Sequence, residues 1–193
     1  SIAGSRPAVA GDAAVKNSSV KIGDCYKPTD PGVTQSAEEA KLYLKSLPRK
    51  PLSNCAPPTD PRNIDRLNST FATCAARFFQ EYTKRYGTIT ITSAFRDSAP
   101  GSAANGSGKS ANACAGGVNG SNHTRGVAMD VYPNNRDWQM LWNFAKANPQ
   151  FGVCFPHEGN DRPHMILAGI GGGESASCAI KGVRKSCEGT TFN

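Results

Sequence analysis

The sequence predicts a small α+β domain, with two helices ahead of a central antiparallel sheet and one more helix between its strands. Three observations carry this. Two stretches before residue 87 repeat apolar residues every three or four positions, the period of a helix face. Residues 88–95 alternate β-branched with polar residues, the period of a strand. After Gly126, short apolar runs are separated by turn residues, which suits a compact sheet with helices packed on one face.

Each element has a local reason. Residues 1–35 are small and polar, with no sustained periodicity, and read as an irregular extension. Ser36-Ala37-Glu38-Glu39 is a capping box, Ala40, Leu44 and Leu47 give one apolar face, and Pro48 ends the helix. A proline-rich loop follows from Arg49 to Pro61. The next helix runs from Arg62 to Tyr86, with Ile64, Leu67, Phe71, Cys74, Phe78 and Tyr82 on its inner face and Gly87 as its stop. Thr88 to Phe95 is a strand ending at Arg96. From Asp97 to Gly120 the chain is Gly, Ala, Ser and Asn with little to bury, a surface loop and a candidate groove wall. Val127 to Tyr132 is a short buried strand, and Asp137 to Ala147 a helix with Met140, Leu141 and Phe144 inward. Phe151 to Phe155 and His164 to Leu167 form a strand pair around the turn Pro156 to Asp161. Residues 36–193 are thus expected to form one domain, its core motifs in 88–168, with a Cys-containing tail over 169–193.

Composition narrows the setting. The formal net charge is +7, which favours anionic partners such as nucleic acid, acidic lipid or a bacterial cell wall. Lys and Arg are scattered, without basic runs or aromatic interleaving, so nucleic acid is not expected. The seven cysteines, at 25, 55, 74, 114, 154, 178 and 187, include no C-x-x-C pair. That argues against a zinc ribbon or a thioredoxin-like site and for disulfides made outside the cytoplasm. The odd number leaves at least one thiol free or paired between chains. No run of 18 apolar residues exists, so no membrane span is expected, and the protein is expected to be a monomer.

The residues with chemistry to offer are few. Of three histidines, His123 and His164 stand beside carboxylates, Asp130 seven residues after the first and Asp161 three before the second. Gly126 allows a tight turn between His123 and the strand bearing Asp130. A hydrolytic zinc site needs three N/O ligands, an open position for water and a base for that water's proton, and these residues supply one of each. Arg96, at a strand end, offers a fixed positive charge for a substrate carbonyl or carboxylate. Taken singly, each residue has an ordinary reading: a core histidine, a turn-forming aspartate, a salt-bridge arginine.

Their arrangement has a known counterpart. Ser121-Asn122-His123-Thr124-Arg125-Gly126-Val127-Ala128-Met129-Asp130 resembles the S-x-H-x-x-G-x-A-x-D signature of the VanY-like D-alanyl-D-alanine carboxypeptidase/endopeptidase family, peptidase M15 of the LAS metallopeptidases. Thr92-Ser93-Ala94-Phe95-Arg96 is similar to that family's strand-end T-S-G-[YF]-R segment, and Asp161-Arg162-Pro163-His164 to its acidic-x-x-His segment. The resemblance covers roughly residues 88–168, and the first 87 residues carry none of these motifs. It implies a LAS/hedgehog-like zinc fold with His123, Asp130 and His164 as zinc ligands and Asp161 as catalytic base. It further implies that Arg96 polarises the scissile carbonyl or holds a substrate carboxylate, and that Ser121 lies in the substrate pocket.

Two departures bear on specificity. Carboxypeptidases of the family carry Glu in the acidic position and often Trp before the last His, where this chain has Asp161 and Pro163. Asp-x-Pro-His is similar instead to the branch of phage endolysins and L-alanyl-D-glutamate endopeptidases. Glu158 is a rival base, with the more ordinary reading of a solvated loop charge. The second departure is the long Gly/Ser/Ala/Asn segment carrying Cys114. The resemblance therefore implies a zinc-dependent peptidase of peptidoglycan stem peptides or cross-bridges, extracytoplasmic or phage- or virion-associated. The alternatives are a D,D-carboxypeptidase, a non-catalytic hedgehog-like binding module, or a disulfide-stapled protein whose histidines are incidental.

Overall fold

The computed structural model describes residues 36–51, 60–97 and 121–168 of the 193-residue chain. The N-terminal extension, most of the Gly/Ser-rich segment and the Cys-containing tail lie outside the described residues, as do Cys25, Cys55, Cys114, Cys178 and Cys187.

Helix α1 (Ala37–Ser46) starts where the capping box places it, the Ser36 hydroxyl accepting from the Glu39 N–H at 3.1 Å. Ala40 and Leu44 are buried, and the helix lies chiefly against α3. The expected helix from Arg62 to Tyr86 is two helices, α2 (Pro61–Asp65) and α3 (Ser69–Tyr86). Asn68 interrupts it: its side chain caps α3 by accepting from the Phe71 N–H at 3.1 Å, while its own N–H donates to the Gly126 carbonyl at 2.9 Å. Ile64, Leu67 and Phe71 stay buried across the break, so the apolar period survives it.

Four strands follow: β1 (Ile89–Ser93), β2 (Ala128–Pro133), β3 (Val153–Cys154) and β4 (His164–Leu167), with helix α4 (Trp138–Ala147) between β2 and β3. They form one antiparallel sheet in the order β1-β2-β4-β3. The outer edge of β1 does not stay open. The Ile91 N–H donates to the Pro48 carbonyl at 2.8 Å, and the Lys50 N–H to the Ile91 carbonyl at 3.1 Å, in a parallel bridge. The β1–β2 register shifts between Ile91 and Ser93, a bulge that brings Ser93 opposite Asp130. Bulges of this kind re-aim a strand end, and here the re-aimed end carries Ala94 and Arg96.

Helix α3 meets β3 and β4. The core is aromatic around Phe78, whose ring lies 5.4–6.4 Å from those of Phe79, Tyr82, Phe144, Phe151 and Phe155. Truncating such a residue to alanine costs about 3–5 kcal/mol. No helix among the described residues is long and apolar enough to cross a membrane.

Candidate metal centre

Three elements converge beside the β1 bulge. The first is the turn from Ser121 to Gly126, closed by Thr124 N–H to the Ser121 carbonyl (3.0 Å) and Gly126 N–H to the His123 carbonyl (3.2 Å). Gly126 sits at φ +71°, and a Cβ there would lie 2.8 Å from the Arg66 carbonyl oxygen and 3.0 Å from the Asn68 nitrogen. Glycine is required twice over, for the left-handed backbone and for the close approach of the α2–α3 break. The second and third elements are β2 and β4, whose antiparallel register puts Asp130 directly opposite His164.

The residues His123, Asp130 and His164 are 3%, 3% and 5% exposed. His123 Nδ1 lies 2.8 Å from the Ala94 carbonyl oxygen. A carbonyl can only accept, so Nδ1 carries the proton, and in the neutral ring Nε2 presents a lone pair to the interior. That Nε2 is 3.2 Å from His164 Nδ1 and 3.3 Å from Asp130 Oδ1, and His164 Nδ1 is 3.2 Å from the same Oδ1. The three donors form a nearly regular triangle. An ion bound tetrahedrally at 2.0–2.1 Å requires donors roughly 3.3–3.4 Å apart, so two imidazoles and a carboxylate at this spacing fit a zinc-sized cation. Among the described residues these three are the group able to hold a metal ion.

Arg96 completes the inner arrangement in an unexpected way. Its Nη2 donates to Asp130 Oδ2, its Nε to the Ser93 hydroxyl at 2.8 Å, and its main-chain N–H to the His123 carbonyl at 3.3 Å. One carboxylate oxygen of Asp130 is thus held by the guanidinium and the other faces the histidines. Burial by itself would push the Asp130 carboxyl up. With no metal bound and His123 protonated on both nitrogens, the charge of that ring, hydrogen bonds from it and from His164, and the charge of Arg96 outweigh burial and hold the group well below the usual carboxylate range.

The other expected site residues lie around this centre. Ser121 is half-buried, its hydroxyl accepting from the His123 N–H at 3.3 Å, so it helps shape the turn that presents His123. Asp161 is exposed on the turn before β4. Its carbonyl accepts from the His164 N–H at 3.1 Å, and its side chain makes no hydrogen bond or ion pair with the described residues. Glu158 is ion-paired with Lys146 of α4.

Three contributors escaped the sequence reading. Ser93 and the Ala94 carbonyl orient Arg96 and His123; both precede Arg96 in the strand-end motif, which was the available signal. The third histidine, His157, stacks on His164 with ring centroids 5.8 Å apart and planes at 26°. Nothing in its spacing marked it.

A family model described as Peptidase M15 matches residues 58–164, more than half of the chain. The match takes in α2, α3 and all three metal-facing side chains, and so reaches well upstream of the motifs. No curated protein and no solved structure gives a match to the chain.

Proposed function

Since the chain belongs to the peptidase M15 family, whose members are metal-dependent hydrolases of peptide-type substrates, we propose that it is a zinc endopeptidase of bacterial peptidoglycan. The observation that carries the reading is the buried triangle of His123 Nε2, Asp130 Oδ1 and His164 Nδ1, whose 3.2–3.3 Å edges suit zinc. Zinc held there supplies a Lewis acid that acidifies water and polarises a carbonyl.

The chain's own groups then divide the work. Asp161 accepts a proton from the attacking water and returns it to the leaving amine, so that water adds across the C–N bond with no net gain or loss of protons. Support for Asp161 over Glu158 is that its carboxylate has no partner among the described residues, whereas Glu158 is occupied by Lys146. Among the described residues, Arg96 spends Nη2 on Asp130 and Nε on Ser93, which supports Nη1 as the group that meets the substrate carbonyl or a substrate carboxylate. Ser121 lies at the edge of the same turn and borders the substrate.

A wall substrate is supported by the net charge of +7, complementary to an anionic polymer, and an endopeptidase by the Asp161-x-Pro163-His164 segment. An extracytoplasmic or virion-associated post with disulfides is supported by seven dispersed cysteines, of which Cys74 and Cys154 are buried and neither stands as a free thiol. Elemental analysis should find one zinc per chain, and purified muropeptides should be cut internally by wild type but not by Asp161→Ala. Release of terminal D-alanine alone would point to a carboxypeptidase. Zinc without any cleavage would point to a binding module, and no zinc would sink the reading.

A further inference from the structure

We propose that His157 is a positioning residue for the metal centre, its ring plane setting that of His164. The inference rests on the metal reading above and extends it to a side chain that is not one of the three donors. Register between β2 and β4 places the His164 backbone opposite Asp130, but it leaves the rotation of the imidazole about χ2 undecided. That rotation determines whether Nδ1 meets the other two donors.

Two rings neighbour it. The His123 ring is tilted, with centroids 5.0 Å apart and planes at 49°, whereas the His157 ring is stacked at 5.8 Å with planes at 26°. The tilted His123 contact is itself a consequence of donor convergence. The near-parallel His157 contact is independent of it and constrains the plane.

His157 is well placed to act as a fixed wall. Its carbonyl accepts from the Asn160 N–H at 3.1 Å and the Asp161 N–H at 2.9 Å, which closes the β3–β4 turn on His157 itself. Its neighbour Glu158 is tied to Lys146, so the turn is anchored to α4. The path of restraint runs from α4 through Glu158 and His157 to the ring of His164. The role assigned here needs a flat ring and no ring nitrogen.

The test is zinc affinity of the full chain, measured by competition with a chromogenic chelator for wild type, His157→Ala, His157→Leu and His157→Phe. Thermal midpoints of the metal-free proteins report whether each variant folds. Ala and Leu should weaken zinc binding roughly 3- to 10-fold, and Phe should hold it within about twofold of wild type. The cobalt(II)-substituted Phe variant should keep the wild-type visible spectrum, while the Ala variant should not. Unchanged affinity in His157→Ala overturns the inference, as does a Phe variant as weak as Ala, which would mean that a ring nitrogen is what counts. Wild type that binds no zinc overturns the metal reading and this inference with it. Because the readout is binding, a chain that binds zinc but cleaves nothing leaves the inference standing.

Discussion

The two halves of the candidate site are built on opposite terms. The donor half is buried, and its groups are held from behind: His123 by the Ala94 carbonyl, Asp130 by Arg96, and His164 by the ring of His157. The half on the β3–β4 turn is open, with Asp161 exposed and Glu158 drawn to the surface by Lys146. Metal binding rewards preorganised donors, since a ligand that must be ordered on binding loses affinity to conformational entropy. A proton carrier needs solvent and a little freedom. On the proposed reading, one site serves both needs by drawing its donors from strands and a tight turn, and its base from a loop.

Changes that break the donor half should have the largest effect. Replacing His123, Asp130 or His164 by alanine should lower zinc affinity by more than about 100-fold and abolish hydrolysis, the first read by titration calorimetry and the second by muropeptide assay. Retained affinity in any one would remove that residue from the metal centre. Next comes the open half. Asp161→Ala should slow hydrolysis by about 10²–10⁴ while zinc affinity stays within roughly threefold, and Glu158→Gln should change the rate less than about twofold. The reverse pattern would move the base to Glu158.

The scaffold between the halves should respond in stability. Gly126→Ala meets both a left-handed backbone and the Arg66 carbonyl, and should cost about 2–4 kcal/mol in chemical denaturation. A neutral result would mean that the α2–α3 break can move away from the turn. Arg96→Ala should weaken zinc by roughly 10- to 100-fold through loss of the Asp130 clamp. If kcat falls while zinc affinity holds, Arg96 serves the substrate and its clamp on Asp130 does not matter to the metal.

The smallest effect is a pH dependence of the metal-free protein. The Asp130 carboxyl is depressed in the folded state, so its stabilising contribution is complete above the unfolded pKa of roughly 4 and is lost as pH falls from there toward the folded value. In chelator, the stability gap between wild type and Asp130→Asn should therefore narrow as pH drops from 6 to 3. A gap that widens instead would reverse the sign of the Asp130 contribution.

Much of the fold was legible because its causes are local. Ser36 and Glu39 mark the start of α1, the alternation in Thr88 to Phe95 marks β1, and Asp137 caps α4 by accepting from the Met140 N–H at 2.9 Å. The break between α2 and α3 was not legible. Ile64, Leu67 and Phe71 keep a helical period through it, and its cause is contact with Gly126, far along the chain. The burial of β1 was not legible either: all five residues are buried, and its threonines are satisfied by partners remote in the chain, Thr90 donating to Asn134 Oδ1 at 2.6 Å and Thr92 to the Asp130 carbonyl at 3.2 Å.

By itself, the sequence determined which chemical groups are available: two imidazoles and two carboxylates at turn and strand ends, with a glycine between His123 and Asp130. Tertiary structure alone decided how they meet. Opposing Asp130 to His164 is a matter of strand register, and a slip of one residue would turn either side chain to the other face. Aiming Arg96 at Asp130 depends on a bulge, and stacking His157 on His164 depends on how a turn closes. These are distances between segments remote in the chain, and such distances are set by packing, which no local pattern of residues encodes.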